Sequence, residues 1–184
     1  MTIHPQAQDV LDFWFAQENE EKLFQVDPHF DQEIYERFFD LWQAASQGSL
    51  FSWRNTALGR LAEIIVLDQF SRNLWRDDAR SFTQDQMALV LSQELIALDE
   101  FQQFDERQKQ FALMPWMHSE SAAIHTHALD LFKKYTNDQI VSFELKHKEL
   151  IDEFGRYPYR NDILNRESTP EEEEFLAYWN GFHG

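Results

Sequence analysis

The chain has 184 residues, 33 of them acidic and 16 basic, for a formal net charge of −17 at pH 7; hydrophobic residues make up 43% and aromatics 15%. That length and apolar content suffice for one folded core over residues 1–184, while so negative a field repels phosphodiester backbones and anionic lipid. There is no cysteine, which excludes disulfides, thiolate metal ligands and a cysteine nucleophile.

The pattern is helical from the start. Val10, Leu11, Trp14 and Phe15 share one face of a short opening helix. The first nine residues carry neither the basic nor the apolar block of a signal peptide, and no apolar run reaches membrane-spanning length. A cytoplasmic protein without a membrane or nucleic-acid partner is expected. Pro28 starts a second helix, with Phe30, Ile34, Phe38, Leu41 and Trp42 at three- and four-residue steps, ended by Gly48. A third is predicted over 58–75. Its stretch from Leu61 to Leu67 is apolar nearly all round, as in a helix buried mid-fold.

A fourth helix is predicted over 83–97, through Met87, Val90, Leu91 and Leu95. A fifth, from 106 to 113, should stop before Pro115, because the residue preceding proline disfavours helix. The sixth spans 120–135 with Ser119 as N-cap, and the seventh spans 138–154 and closes on Gly155. The sharpest start signal comes last: Thr169 caps, Pro170 takes the first helical position and Glu172 completes a capping box. No strand alternation interrupts this series. The expected fold class is all-α, with seven to eight helices packed as antiparallel hairpins.

Charge is unevenly spread. Residues 54–80 and 146–166 each hold five bases against four acids, and eight of the ten arginines fall in them. An acidic protein that concentrates arginine in two places needs it for pairing, internal or to a ligand. In the third helix Arg60, Ile64, Asp68 and Arg72 step by four, so Asp68 and Arg72 are neighbours, with Asn73 beside them, and Glu63 lies one turn from Arg60. If that helix is central, these charges are partly buried and need partners. They are either a packing network or a polar cleft whose arginines await an anion.

His147 sits in the middle of the apolar face formed by Ile140, Phe143, Leu150, Ile151 and Phe154. The turn after that helix carries Arg156, Arg160 and Asn161 around Pro158, where two guanidinium forks could receive a carboxylate or phosphate. His118 and Glu120 flank the expected cap at Ser119 and form a conceivable acid–base pair. His125 and His127 face different directions on a helix. No metal-binding spacing, phosphate loop, dinucleotide fingerprint or Gly-x-Ser-x-Gly elbow occurs, so no metal or cofactor is expected.

Several segments taken together resemble a known family. They are Val10-Leu11-Asp12-Phe13-Trp14-Phe15, Leu67 to Asn73, Pro115 to Glu120, His147-Lys148 through Gly155-Arg156 to Arg160-Asn161, and Asn165 to Glu173. In order, and over essentially the whole chain, they are similar to the bacterial family called domain of unknown function 924. The resemblance implies a tetratricopeptide-like array of helix hairpins and supplies no function. Three positions depart from the family pattern. Ser71 stands where proline is usual before the arginine, Trp116-Met117 where Phe-Glu is usual, and Tyr159 where histidine is common. A site using that histidine would be in doubt here, whereas one built on Arg72, His118, Glu120, Arg156, Arg160 and Asn161 would be intact.

Two functions remain open on the sequence. One is a binding domain, or an enzyme of unassigned reaction, with a cleft in which Asp68 and Glu120 orient Arg72, Arg156 and Arg160 around a small anion, with Asn73 and Asn161 contributing and His118 or His147 supplying a hydrogen bond or proton. The other is a protein-interaction scaffold in which the arginine clusters are internal struts.

Overall fold

The computed structural model describes residues 2–181. Among them every regular element is helical: nine α-helices, short 3-10 turns and one π-helical segment. Helix α1 (Pro5–Trp14) buries Ala7, Val10, Leu11, Phe13 and Trp14. Helix α2 (Pro28–Ser46) starts where the Asp27 carboxylate accepts the N–H groups of His29 and Phe30, with Pro28 in the first turn. Its core stripe is Phe30, Ile34, Phe38 and Trp42, as the periodicity predicts.

The third predicted helix is a continuous helical rod in three parts. These are α3 (Ala57–Ile64), a π-helical segment (Ile65–Phe70) and α4 (Ser71–Leu74). Every residue from 61 to 70 is buried, so this rod does run through the middle of the fold. The π geometry has no mark in the sequence. Arg60, on α3 ahead of it, donates to the Arg54 carbonyl. Glu63 correspondingly pairs not with Arg60 but with Arg54, which a 3-10 turn (Phe51–Asn55) brings within 2.7 Å.

Helices α5 (Asp85–Ile96), α6 (Glu106–Met117), α7 (Ala122–Tyr135) and α8 (Asp138–Phe154) follow, then α9 (Pro170–Tyr178). Helix α7 packs against both α6 and α8, while α5 packs on α3 and α6. Trp14, Phe30, Phe38, Phe70 and Phe111 interlock in the main core at centroid separations near 5–6 Å, for example 5.4 Å between Trp14 and Phe111. A second apolar cluster joins α6, α7 and α8 around Leu113, Met117 and Phe132. A third, around Leu150, Ile151 and Tyr157, is covered by Phe175 of α9 and Trp179 at its C-terminal cap.

Two expected boundaries are corrected. Helix α6 does not stop before Pro115 but passes through it to Met117. Proline strains the carbonyls one turn back, and here the Ser92 hydroxyl takes the Ala112 carbonyl while accepting the indole N–H of Trp116. Burial of Trp116 and Met117 on that turn outweighs the local preference. Ser119 is not a helix cap: α7 begins at Ala122, and the Ser119 carbonyl instead accepts a hydrogen bond from His125. The other end signals hold. Gly155 closes α8 at φ +70°, and Thr169 and Glu172 form the reciprocal capping box of α9.

Candidate functional site

The π segment and α4 present Asp68, Gln69, Arg72 and Asn73 toward the C-terminal end of α6. Asp68 is wholly buried. One carboxylate oxygen lies 2.7 Å from Nδ1 of His118 and 3.2 Å from a terminal nitrogen of Arg72; the other accepts from the Gln69 amide at 2.5 Å. Arg72 also reaches Asp85, the first residue of α5, at 3.0 Å. Asp85 in turn meets Arg160 at 3.3 Å, and Arg160 lies over the rings of Phe82 and Tyr157. Two acids and two guanidinium groups thus balance each other around one histidine.

That balance sets the protonation states. Burial alone would raise the Asp68 carboxyl, but Arg72 and His118 beside it hold it well below the usual carboxylate range. Burial, aided by the Arg72 charge, pushes His118 down despite Asp68. The imidazole is therefore neutral, and because Asp68 is ionised the proton sits on Nδ1. The Nε2 lone pair is left as an acceptor.

Nε2 lies on the far side of the ring from Asp68 and has no hydrogen-bond partner among the described residues. His118 lines a cavity of ≈ 670 Å³ between α6 and α8, whose walls include Phe111, Met114, Ile140, Phe143 and His147. It also lines an adjoining cavity of ≈ 250 Å³, together with Gln69, Arg72, Asn73 and Arg76. Cavities of the larger size hold small organic ligands. His147, buried on α8, bonds through Nδ1 to the Phe143 carbonyl at 2.8 Å and is pushed down to about 3, chiefly by burial.

The peptide carrying His118 is fixed from outside. Helix ends leave carbonyls without partners, and three consecutive ones are taken here by side chains from elsewhere. Tyr157 Oη donates to the Met117 carbonyl at 2.5 Å, Arg160 to that of His118 at 3.1 Å, and His125 Nε2 to that of Ser119 at 2.8 Å. His125 is itself held by Glu144 of α8, 2.7 Å from Nδ1, and both side chains are sealed from solvent.

The site residues expected from sequence separate into two groups. Arg72, Asn73, His118 and His147 line the cavities, with Asp68 and Arg160 behind them. Asn73 also donates to Asp31 at 2.8 Å. Glu120, Arg156 and Asn161 lie in a neighbouring set of struts. Glu120 does not pair with His118; it takes Arg166 through two hydrogen bonds, at 2.7 and 3.0 Å, and the Tyr157 N–H. Those partners hold its carboxyl low against the opposing effect of burial. Arg156 forks onto Glu172 at 2.6 and 2.7 Å, and Asn161 joins Glu172, Ser168 and Arg166. The turn at Pro158 thus sends Arg156 and Arg160 to different places rather than offering a paired fork. Asp85, Tyr157, and the His125–Glu144 pair were not singled out by sequence reasoning.

Fold and site together define an all-helical protein with a buried, charge-balanced cluster that opens through one neutral histidine onto an apolar cavity. The model of the family described as bacterial protein of unknown function (DUF924) matches residues 10–179, and the chain belongs to that family. It is also similar to a solved structure of a protein of unknown function from Agrobacterium tumefaciens. Identity is 34%, the TM-score is 0.88, and the match covers 93% of this chain and 96% of that one. Comparison with curated proteins finds no match. Among the described residues no helix is long and apolar enough to cross a membrane.

Proposed function

We propose that the chain binds a small organic anion at this site and that Nε2 of His118 serves the ligand as hydrogen-bond acceptor or general base. The observation that carries the reading is the Asp68–His118 contact at 2.7 Å, with the other ring nitrogen left to a cavity. In such an arrangement the carboxylate fixes the tautomer and stabilises the imidazolium that forms on proton uptake. Arg72 and Arg76, on the wall of the smaller cavity, supply guanidinium N–H groups to the anion.

Thermal unfolding of wild type and His118→Gln against a panel of small carboxylates and phosphates tests this. At least one compound should raise the melting temperature of wild type and leave that of the variant unmoved. Equal responses in the two proteins would remove His118 from the site. In ¹⁵N-histidine NMR spectra, His118 should show the Nδ1–H tautomer.

A second reading, the interaction scaffold, draws support from the other arginines. Arg54, Arg156 and Arg166 are each engaged by a glutamate of the same chain, as internal struts would be. Under it the acidic outer faces meet a basic protein, and that association weakens as salt rises. A protein partner whose affinity ignores ionic strength would count against it.

A further inference from the structure

We infer that the ligand is an amphipathic organic anion. Its charged head lies in the smaller cavity against Arg72 and Arg76, its apolar body fills the larger one, and its middle passes Nε2 of His118. This rests on the reading of His118 given above and extends it to the class of molecule.

The two cavities share Phe24, Met114 and His118 as walls, so they lie on either side of the same three side chains, as compartments of one groove would. Their linings differ in kind. The charged residues on the walls of the smaller compartment are Arg72 and Arg76, and among the described residues no carboxylate lines it, in a chain with about twice as many acids as bases. The acids that pair with these arginines, Asp31, Asp68 and Asp85, lie outside that lining. Arg76 engages Asp31 through Nε and one terminal nitrogen, which leaves the N–H groups of the other terminal nitrogen to donate. Gln69 and Asn73 add amide groups to the same wall.

The larger compartment is the reverse. Phe111, Met114, Met117, Ile140 and Phe143 give it apolar walls, and its charged residues are Glu20, Glu106 and Arg107. An anion placed there would face two carboxylates against one guanidinium, so the head belongs with Arg72 and Arg76 and the body with the phenylalanines. Phe24 stands in the common wall, stacked on Phe111 at 5.8 Å yet 62% exposed. An apolar body lying past it would remove that ring from water.

Calorimetric titration of the full chain at physiological salt, with acetate, butanoate, hexanoate, octanoate and decanoate, tests the inference. Octanol, octylamine and octyl phosphate serve as comparisons. Affinity should rise by up to about fourfold per added methylene until the larger compartment is full. Octanoate and octyl phosphate should bind about tenfold more tightly than octanol or octylamine, and the tighter of the two identifies the head group. Arg76→Met should cost octanoate most of that advantage and leave octanol unchanged, while Ile140→Glu should abolish the dependence on chain length. Acetate binding as tightly as octanoate, or octanol and octylamine matching it, overturns the inference.

His118→Gln separates this from the underlying reading. Chain-length dependence in this series, with no compound of the thermal panel distinguishing wild type from His118→Gln, discards the role of His118 and leaves the amphipathic ligand standing. A flat series, with a compound of the thermal panel that stabilises wild type and not His118→Gln, does the opposite. No binding by any member overturns both.

Discussion

Two buried histidines in this molecule each place Nδ1 2.7 Å from a carboxyl oxygen, yet they do opposite things with the second nitrogen. His125 and Glu144 are sealed, and Nε2 of His125 is engaged by the Ser119 carbonyl and the Tyr157 hydroxyl. His118 and Asp68 are equally deep on the acid's side, but Nε2 of His118 faces a cavity. The acids differ as well. Arg72 stands beside Asp68 and keeps it ionised, whereas burial pushes the Glu144 carboxyl up. One acid–histidine pair is therefore a strut and the other borders a cavity, as the proposed function requires, and what distinguishes them is the environment of Nε2 and the presence of an arginine. The first pair holds the second in place, since His125 and Tyr157 clamp the carbonyls on either side of that of His118.

The largest expected effects come from removing either acid. Asp68→Ala strips partners from Arg72, His118 and Gln69 at once and should destabilise by about 4–5 kcal/mol. Glu144→Ala leaves His125 without its acid in a sealed pocket and should cost about 3 kcal/mol, read by urea unfolding. If Glu144→Ala proved harmless, the strut half of the comparison would fall.

Acid titration should then separate the pairs by sign. Asp68 is held below its ordinary 3.8, so its contribution is complete above that value and is lost as pH falls beneath it. His118 and His147 are kept neutral, His147 down to about 3, while the unfolded chain takes up those protons from about 6.5 downward. Both effects make stability fall with acid. Glu144 runs the other way: raised above 4.5, it makes the folded chain the better proton binder, so its contribution declines as pH climbs past 4.5. The stability of wild type minus that of Glu144→Gln should accordingly decrease over that rise. A difference that grows with pH would mean that Glu144 is stabilised as a carboxylate, as Asp68 is.

Much of the fold was legible because its signals are local. The capping box at Thr169 and Glu172, the left-handed Gly155 and the stripe of α2 each lie within one turn of the residues they control. Pro115 misled because a local rule was outweighed by burial and by Ser92, over twenty residues away in sequence. The π segment carries no composition that marks it. The Asp68–Arg72 contact was readable from four-residue spacing, whereas its closure by His118 and Asp85 joins separate helices. The His125–Glu144 pair did leave a trace. His125 shares a stripe with Ala128 and Phe132, and Glu144 shares one with Ile140, His147 and Ile151. A titratable residue at a core position of each of two adjacent helices signals a buried pair.

Smaller effects sharpen the contrast at the clamp. Tyr157→Phe keeps the ring and removes one hydroxyl, leaving the buried Met117 carbonyl unsatisfied, and should cost about 1–2 kcal/mol. It should also loosen His118, seen as a tautomer mixture in ¹⁵N-histidine spectra. If stability drops while the His118 spectrum is unchanged, the clamp supports the fold and not the site.

The smallest stability change is expected at the proposed ligand site. In His118→Gln the new amide N–H can donate to Asp68 in place of Nδ1–H, so the buried carboxylate keeps its partner and stability should change by less than about 1 kcal/mol. His125→Gln has no such escape. One amide cannot at once meet Glu144 on one side and both Ser119 and Tyr157 on the other, so the loss should reach about 2–3 kcal/mol. The two identical substitutions, compared by urea unfolding, thus ask what each second nitrogen is for. Equal losses would mean that Nε2 of His118 is structurally engaged, and the distinction between strut and site would disappear. A near-silent His118→Gln that also ignores the ligands stabilising wild type would leave Nε2 with the cavity as its only employment.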